Sequence, residues 1–244
     1  LMKILPAIDI KDGKCVRLAK GDYSQVTHYF DNPLDVAKKW IDQGSMNLHI
    51  VDLDGAKSGE TINYDIIAKI RNNHPDIYMQ IGGGIRDVEN INKYLNIGIN
   101  KVIVGTRVVS DPSFLEKIPS NIKEKVIIDL AVKDGKLAVH GWNNSSDFTL
   151  QSFIKILEAN NIKEIVFTDV SKDGMLEGMN FSEISNILRF SSIPLIASGG
   201  VTSIDDIKHL YGMNEIKISG VIIGKALYEN KINLKEAIKL SSKN

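Results

Sequence analysis

The chain has 244 residues, 43% hydrophobic and 25% charged, with 30 basic and 30 acidic side chains that cancel to a formal net charge of zero. That balance argues against a nucleic-acid binder, and Cys15, the only cysteine, excludes an internal disulfide and a cysteine-rich metal site. No apolar run nears the roughly 18 residues of a membrane span, and no signal peptide is visible, so the expected location is the cytoplasm. Leu1, ahead of Met2, is set aside.

Lys3 to Ile10 reads as a first strand containing Pro6-Ala-Ile-Asp-Ile10. Lys11 to Asn32 reads as a long polar connection, of a length that compact domains usually reserve for function or disorder. Asn32-Pro33 opens a helix that runs to Gln43 and stops at Gly44. Leu48 to Leu53 is a second strand and Asp54 to Glu60 a turn-rich loop. Thr61 to Asn73, with apolar residues at 62, 66, 67 and 70, has helical spacing. A third strand, Ile77 to Ile81, runs into Gly82-Gly-Gly84. A helix over Asp87 to Asn96, a fourth strand over Lys101 to Val104 and a helix capped by Ser110-Asp-Pro-Ser113 follow.

The second half alternates in the same way. Lys125 to Leu130 is a fifth strand, followed by an irregular stretch to Ser146 in which Lys133-Asp-Gly-Lys136 reads as a hairpin turn. A helix over Leu150 to Ala159, a sixth strand over Glu164 to Thr168, a glycine-containing loop over Ser171 to Gly178 and a helix over Phe181 to Phe190 come next. Ile193 to Ala197 is a seventh strand running into Gly199-Gly200; Ile204 to Tyr211 is a helix, Gly220 to Ile223 the eighth strand, and Leu234 to Leu240 the closing helix.

The halves repeat each other. Gly83 and Gly199 are 116 positions apart, Gly105 and Gly224 119, Asp52 and Asp169 117, and Asp9 and Asp129 120. Self-similarity at nearly one offset argues for two copies of one unit. Eight strands, each followed by a helix, are the inventory of a (β/α)8 TIM barrel. It forms one domain over 1–244, with half-barrels at about 2–122 and 123–244. A doubly wound open sheet is the rival, but it rarely needs eight units or matched halves.

In a barrel the active site gathers at the C-terminal ends of the strands. Asp9 and Asp129 end the equivalent strands of the two halves and would flank a ligand, one as general acid and the other as base; the plain alternative is that each caps its own loop or pairs with a lysine. Paired glycines between strand and helix leave backbone N–H groups for an anion. The first half offers Gly83, Gly84, Arg86, Gly105 and Thr106, and the second Ser198, Gly199, Gly200, Gly224 and Lys225, giving two phosphate grips for one small molecule. Either glycine turn is otherwise structural. Arg17 is placed to reach a phosphate or is simply solvated, and His49 is either a satisfied barrel histidine or a substrate contact. Thr168 is suited to hydrogen-bond a carboxylate or a substrate hydroxyl, Trp142 to stack on a flat ring, and Asp173-Gly174 lies in the loop after strand six. The five histidines show no metal-binding spacing, and no catalytic triad or dinucleotide fingerprint is present, so neither metal nor cofactor is expected.

Together, Pro6-Ala-Ile-Asp-Ile-Lys-Asp-Gly13, Arg17-Leu-Ala-Lys-Gly-Asp-Tyr23, His49-Ile-Val-Asp52, Gly82-Gly-Gly-Ile-Arg86, Gly141-Trp142, Thr168-Asp-Val-Ser-Lys-Asp-Gly174 and Val221-Ile-Ile-Gly224 carry a resemblance that spans the chain. It is to the histidine-pathway isomerases, the phosphoribosylformimino-5-aminoimidazole carboxamide ribotide isomerases. The resemblance implies an Amadori rearrangement of an aminoaldose with two phosphates. Asp129 matches the acid that opens the ribose ring, Asp9 the base that takes the C2 proton, Thr168 a supporting group, and Trp142 a residue that stacks on the imidazole. No membrane, nucleic-acid or obligatory protein partner is implied, and a monomer is expected. The sister barrel, the cyclase subunit of imidazole glycerol phosphate synthase, resembles the chain less: it carries lysine where this chain has Arg17, lacks the Gly-Trp pair, and needs ammonia from a glutaminase. Some bacterial relatives of the isomerase also accept phosphoribosylanthranilate. A barrel that binds phosphate without catalysis is the remaining reading, against which the two strand-end aspartates speak.

Overall fold

The computed structural model describes residues 2–133, 135–139, 144–145, 147–213 and 217–241. Eight parallel strands form its centre: β1 (Lys3–Lys11), β2 (Asn47–Asp52), β3 (Tyr78–Gly82), β4 (Lys101–Val104), β5 (Val126–Lys133), β6 (Ile165–Asp169), β7 (Leu195–Ser198) and β8 (Ile218–Ile223). Each pairs with the next, and β8 returns to β1 through Lys3–Gly220 to Pro6–Ile223, closing the barrel. This is the (β/α)8 barrel, so the open-sheet rival falls.

The strand sequences read as almost unbroken apolar runs because both faces are covered. Side chains alternate between the two faces. Leu5, Ala7, Ile103, Ile127, Val166, Ile196 and Ile222 fill the interior, while Ile8, Ile50, Ile81, Val104, Ile128 and Ile223 join the helix-facing core. The same alternation turns Asp9, His49, Asp129 and Thr168 inward, where each strand approaches the mouth.

Local signals explain most helices. Pro33–Asp42 carries proline in its first turn and is capped by Asn32, whose side chain accepts from the Leu34 N–H. Asp87, Thr149 and Asn180 cap Val88–Asn96, Leu150–Ala159 and Phe181–Phe190 in the same way.

Four sequence expectations need correction. Lys11 to Asn32 is not a structureless connection: strands Lys14–Ala19 and Asp22–Phe30 form a hairpin on β1, with Cys15 and Val16 buried beneath it. Asp54 to Glu60 contains a helix, Leu53–Ser58, capped by Asp52. The helix expected from Thr61 begins at Tyr64. The stretch after β5 starts with ordered pairing, β5 running on to Lys133 and pairing antiparallel with Lys136–Val139 across the foreseen turn. Short helices Thr106–Ser110 and Lys225–Tyr228, which open directly at Gly105 and Gly224, were not foreseen.

Candidate active site

β1 neighbours β8 and β2, and β5 neighbours β4 and β6, so Asp9 and Asp129 stand on opposite walls of the mouth. Asp9 is 8% exposed, and Arg17, on the inner strand of the hairpin, sets its Nη1 2.8 Å from the Asp9 carboxylate. Burial raises the Asp9 pKa; Arg17 opposes this, Asp173 adds to it, and the result is about 6. Burial likewise raises Asp129, against a hydrogen bond from the Thr168 hydroxyl and with a contribution from Asp173, to about 7. The Thr168 contact, at 3.5 Å, is long. Two carboxyl groups that titrate near neutrality from opposite walls can exchange protons with a ligand held between them.

Asp173, in the loop after β6, lies 3.9 Å from Arg17 and raises both catalytic candidates electrostatically; its own carboxyl is raised by burial and lowered by Arg17. Asp173 thus acts electrostatically on the two aspartates and on the guanidinium. Arg17 is buried rather than solvated, and its guanidinium packs against Gly224, where a Cβ would lie 2.1 Å from Nη2. The Arg17 Nε is buried without a hydrogen-bond partner.

The glycine turns after β3 and β7 are built alike. Gly83, Gly84, Gly199 and Gly200 all have positive φ. A Cβ on Gly83 would sit 2.1 Å from the Asp52 carbonyl oxygen and one on Gly199 2.8 Å from that of Asp169; at Gly84 and Gly200 it would meet the Glu60 and Gly178 carbonyls at 2.2 and 2.4 Å. Each turn therefore rests on the loop of the preceding unit, and that loop is held by an aspartate. Asp52 accepts from the Gly55 N–H and from the Asn63 side chain and backbone. Asp169 accepts from the Ser171 N–H and hydroxyl and from the Asn180 side chain. Asn63 and Asn180 are again 117 positions apart, so the repeat itself carried a signal for this clamp that motif reading missed.

Gly105, at the end of β4, lies against Asp129, and Thr106 opens the short helix beyond it. Ser198 closes β7 in register with Thr168. Lys225 donates to the Gly174 carbonyl at 3.1 Å, and Gly174 packs against the Leu18 carbonyl of the hairpin, so these two join the loop after β6 to neighbouring elements. Arg86 is exposed and lies over Gly59 in the loop after β2. His49 is buried and faces Gln80, which sequence reasoning passed over because a lone glutamine in a strand carries no motif. Trp142, with Gly141, lies outside the described residues.

Among the described residues no group of three histidine, cysteine, aspartate or glutamate side chains could hold a metal ion, and no helix is long and apolar enough to cross a membrane.

Residues 3–233 match a protein-family model described as "Histidine biosynthesis protein". The chain is 47% identical over 239 residues, covering 98% of each chain, to the 1-(5-phosphoribosyl)-5-((5-phosphoribosylamino)methylideneamino)imidazole-4-carboxamide isomerase of Clostridioides difficile. It is 44% identical over 240 residues to the isomerase of the same name from Thioalkalivibrio sulfidiphilus, covering 98% of this chain and 99% of the relative. A third isomerase of that name, from Pelagibacter ubique, is 44% identical over 238 residues, 98% of each chain.

Proposed function

This chain belongs to the histidine biosynthesis protein family and is an isomerase, and from that premise we propose that it converts a bisphosphorylated aminoaldose, the phosphoribosylformimino-aminoimidazole carboxamide ribotide, to its aminoketose by acid–base catalysis with two aspartates. The carrying observation is the pair of buried carboxyl groups on opposite walls, Asp9 near 6 and Asp129 near 7. Asp129, the group more readily kept protonated, gives its proton to the ribose ring oxygen as the C1–O bond breaks and an iminium forms at C1. Asp9, the group more readily ionised, takes the proton from C2; the C–H electrons become the C1–C2 double bond of an enolamine. That enolamine gains a proton at C1 and loses its C2 hydroxyl proton as the ketone forms, which unloads Asp9 and reprotonates Asp129, so both aspartates return to their starting states and the reaction is a net isomerisation.

The two glycine turns, with the helix starts at Thr106 and Lys225, grip the two phosphates, one per half-barrel, in a single domain of two fused copies. The names of the relatives, each with two phosphoribosyl groups, support a ligand of this span. Trp142 stacks on the imidazole. The protein works in the cytoplasm as a monomer without an obligatory partner.

The test is turnover of the aminoaldose by purified protein without ammonia, beside Asp9→Asn. Conversion by the parent, with a fall of about 10²–10⁴ in kcat for the folded variant, is expected. A parent that is silent on the aminoaldose but consumes the aminoketose once ammonia is added would transfer the assignment to the cyclase.

A further inference from the structure

Gln80 is fully buried at the centre of β3, directly opposite His49 in the β2–β3 register. A buried amide needs hydrogen-bond partners, and here protein groups supply them. The Tyr78 hydroxyl, one layer nearer the floor of the barrel, donates to Oε1 at 3.3 Å, and Nε2 stands 2.9 Å from His49 Nδ1. With the amide turned so that Oε1 accepts from the Tyr78 hydroxyl, Nε2 is the end that faces His49 and donates to Nδ1, and a neutral imidazole whose Nδ1 accepts carries its proton on Nε2. We propose that Gln80 is a positioning residue that locks His49 in the tautomer protonated at Nε2, making the histidine a fixed neutral donor at the mouth and leaving Asp9 as the base.

The surrounding charges favour the same state. Among the described residues, the ionisable groups around the interior include Asp9 on β1, Arg17 on the hairpin, Tyr78 on β3, Asp129 on β5 and Asp173 after β6, with Lys3, Glu164 and Lys101 at the floor, where Lys3 stands over the Tyr78 ring at 5.1 Å and pairs with Glu164. Burial depresses the His49 pKa to about 3, and the Arg17 guanidinium adds to the effect. Histidine is the commonest general base in enzymes, and at an ordinary pKa it would titrate in the same range as Asp9. Held neutral, it donates one hydrogen bond to a ligand oxygen and takes no part in moving the C2 proton. The kinetic consequence rests on the aldose–ketose reading above; the tautomer does not.

The experiment is 15N NMR of the protein labelled at histidine, with the His49 ring assigned by His49→Gln, across pH 5 to 8. The parent should show His49 as a single Nε2–H tautomer that stays neutral over the whole range. Gln80→Glu places an acceptor against Nδ1 and should move the proton there and favour the imidazolium. With it, kcat should fall about 10–100-fold, as for other loss of an orienting partner, KM should change little, and the acid limb of the pH profile should move to higher pH. Gln80→Met, apolar and close in volume, should populate both tautomers and serves if the glutamate variant does not fold. A parent ring protonated at Nδ1 or charged at pH 7 would overturn the proposal, as would glutamate and methionine variants with unaltered tautomer and pH profile. If the parent fails to convert the aminoaldose, the kinetic role falls with that assignment and the spectra alone decide the tautomer.

Discussion

Asp9 and Asp129 differ only in their neighbours, and that difference separates their chemistry. Burial raises both, but Arg17 offsets part of the rise at Asp9, while Asp129 has only the long Thr168 contact. A base must be ionised and an acid protonated, so kcat/KM for the free enzyme should rise through about 6 and fall through about 7, a narrow bell. Initial rates at low substrate across pH 4.5 to 9 measure this, and a flat plateau to pH 9 would refute Asp129 as the acid. Arg17→Leu removes the opposing charge, so its acid limb should move to higher pH, narrowing the bell further. Both aspartates were legible in the sequence because a strand alternates its side chains and the repeat placed each at an equivalent strand end. The salt bridge from Arg17 was not legible, because it joins a hairpin strand to β1 and a loop some 156 residues later, a pairing that spacing cannot express.

At the scale of elements, the hairpin after β1 is the clearest lesson. Lys11-Asp-Gly-Lys14 and Lys133-Asp-Gly-Lys136 are the same four residues at equivalent places in the two halves, and Asp-Gly between extended residues is a hairpin signal. The polar run that follows the first disguises it as a loop, yet in the structure both sites pair Lys with Lys across the turn. The hairpin's far end, Lys20-Gly21, turns with φ of +51° and +69°, a conformation that suits asparagine better than lysine at the first position. Lys20→Asn should therefore stabilise the protein by about 0.5 kcal/mol, read as a rise in the denaturant midpoint with an unchanged slope. The Lys20 N–H donates to the Asp173 carbonyl, so hairpin and β6 loop move as neighbours. Ligand binding should slow hydrogen exchange in both segments, and equal exchange with and without ligand would rule out closure. Gly84→Ala forces a side chain at positive φ onto the Glu60 carbonyl. That substitution should cost about 1–3 kcal/mol in strain and, on the proposed phosphate grip, raise KM more than it lowers kcat, because it displaces that turn and not the aspartates.

For the molecule as a whole, a buried carboxyl group in the barrel mouth works against stability. The Asp129 carboxyl stays protonated in the folded state up to about 7, while the unfolded chain loses that proton near the ordinary 3.8. The folded pKa is the higher one, so the contribution of this group is fully present below about 4 and is lost as pH rises through 7. Asp129→Asn cannot ionise and escapes that loss, so its melting temperature should gain on the parent's between pH 5 and pH 8. An advantage independent of pH would show that burial does not govern Asp129. The rise from 3.8 to about 7 corresponds to roughly 4 kcal/mol as an upper bound.

The sequence by itself determined the barrel, the repeat at one offset, the strand-end aspartates and the paired glycine turns, because each rests on local periodicity or on repetition along the chain. Tertiary structure alone decided which ionisable groups meet. The closing of β8 onto β1 and the folding of the hairpin over the mouth bring Arg17 to Asp9, Asp173 and Gly224, and the β2–β3 register brings Gln80 to His49. Charge interactions depend on distance and burial rather than on order along the chain, so only the folded barrel assigns the two aspartates their different pKa values.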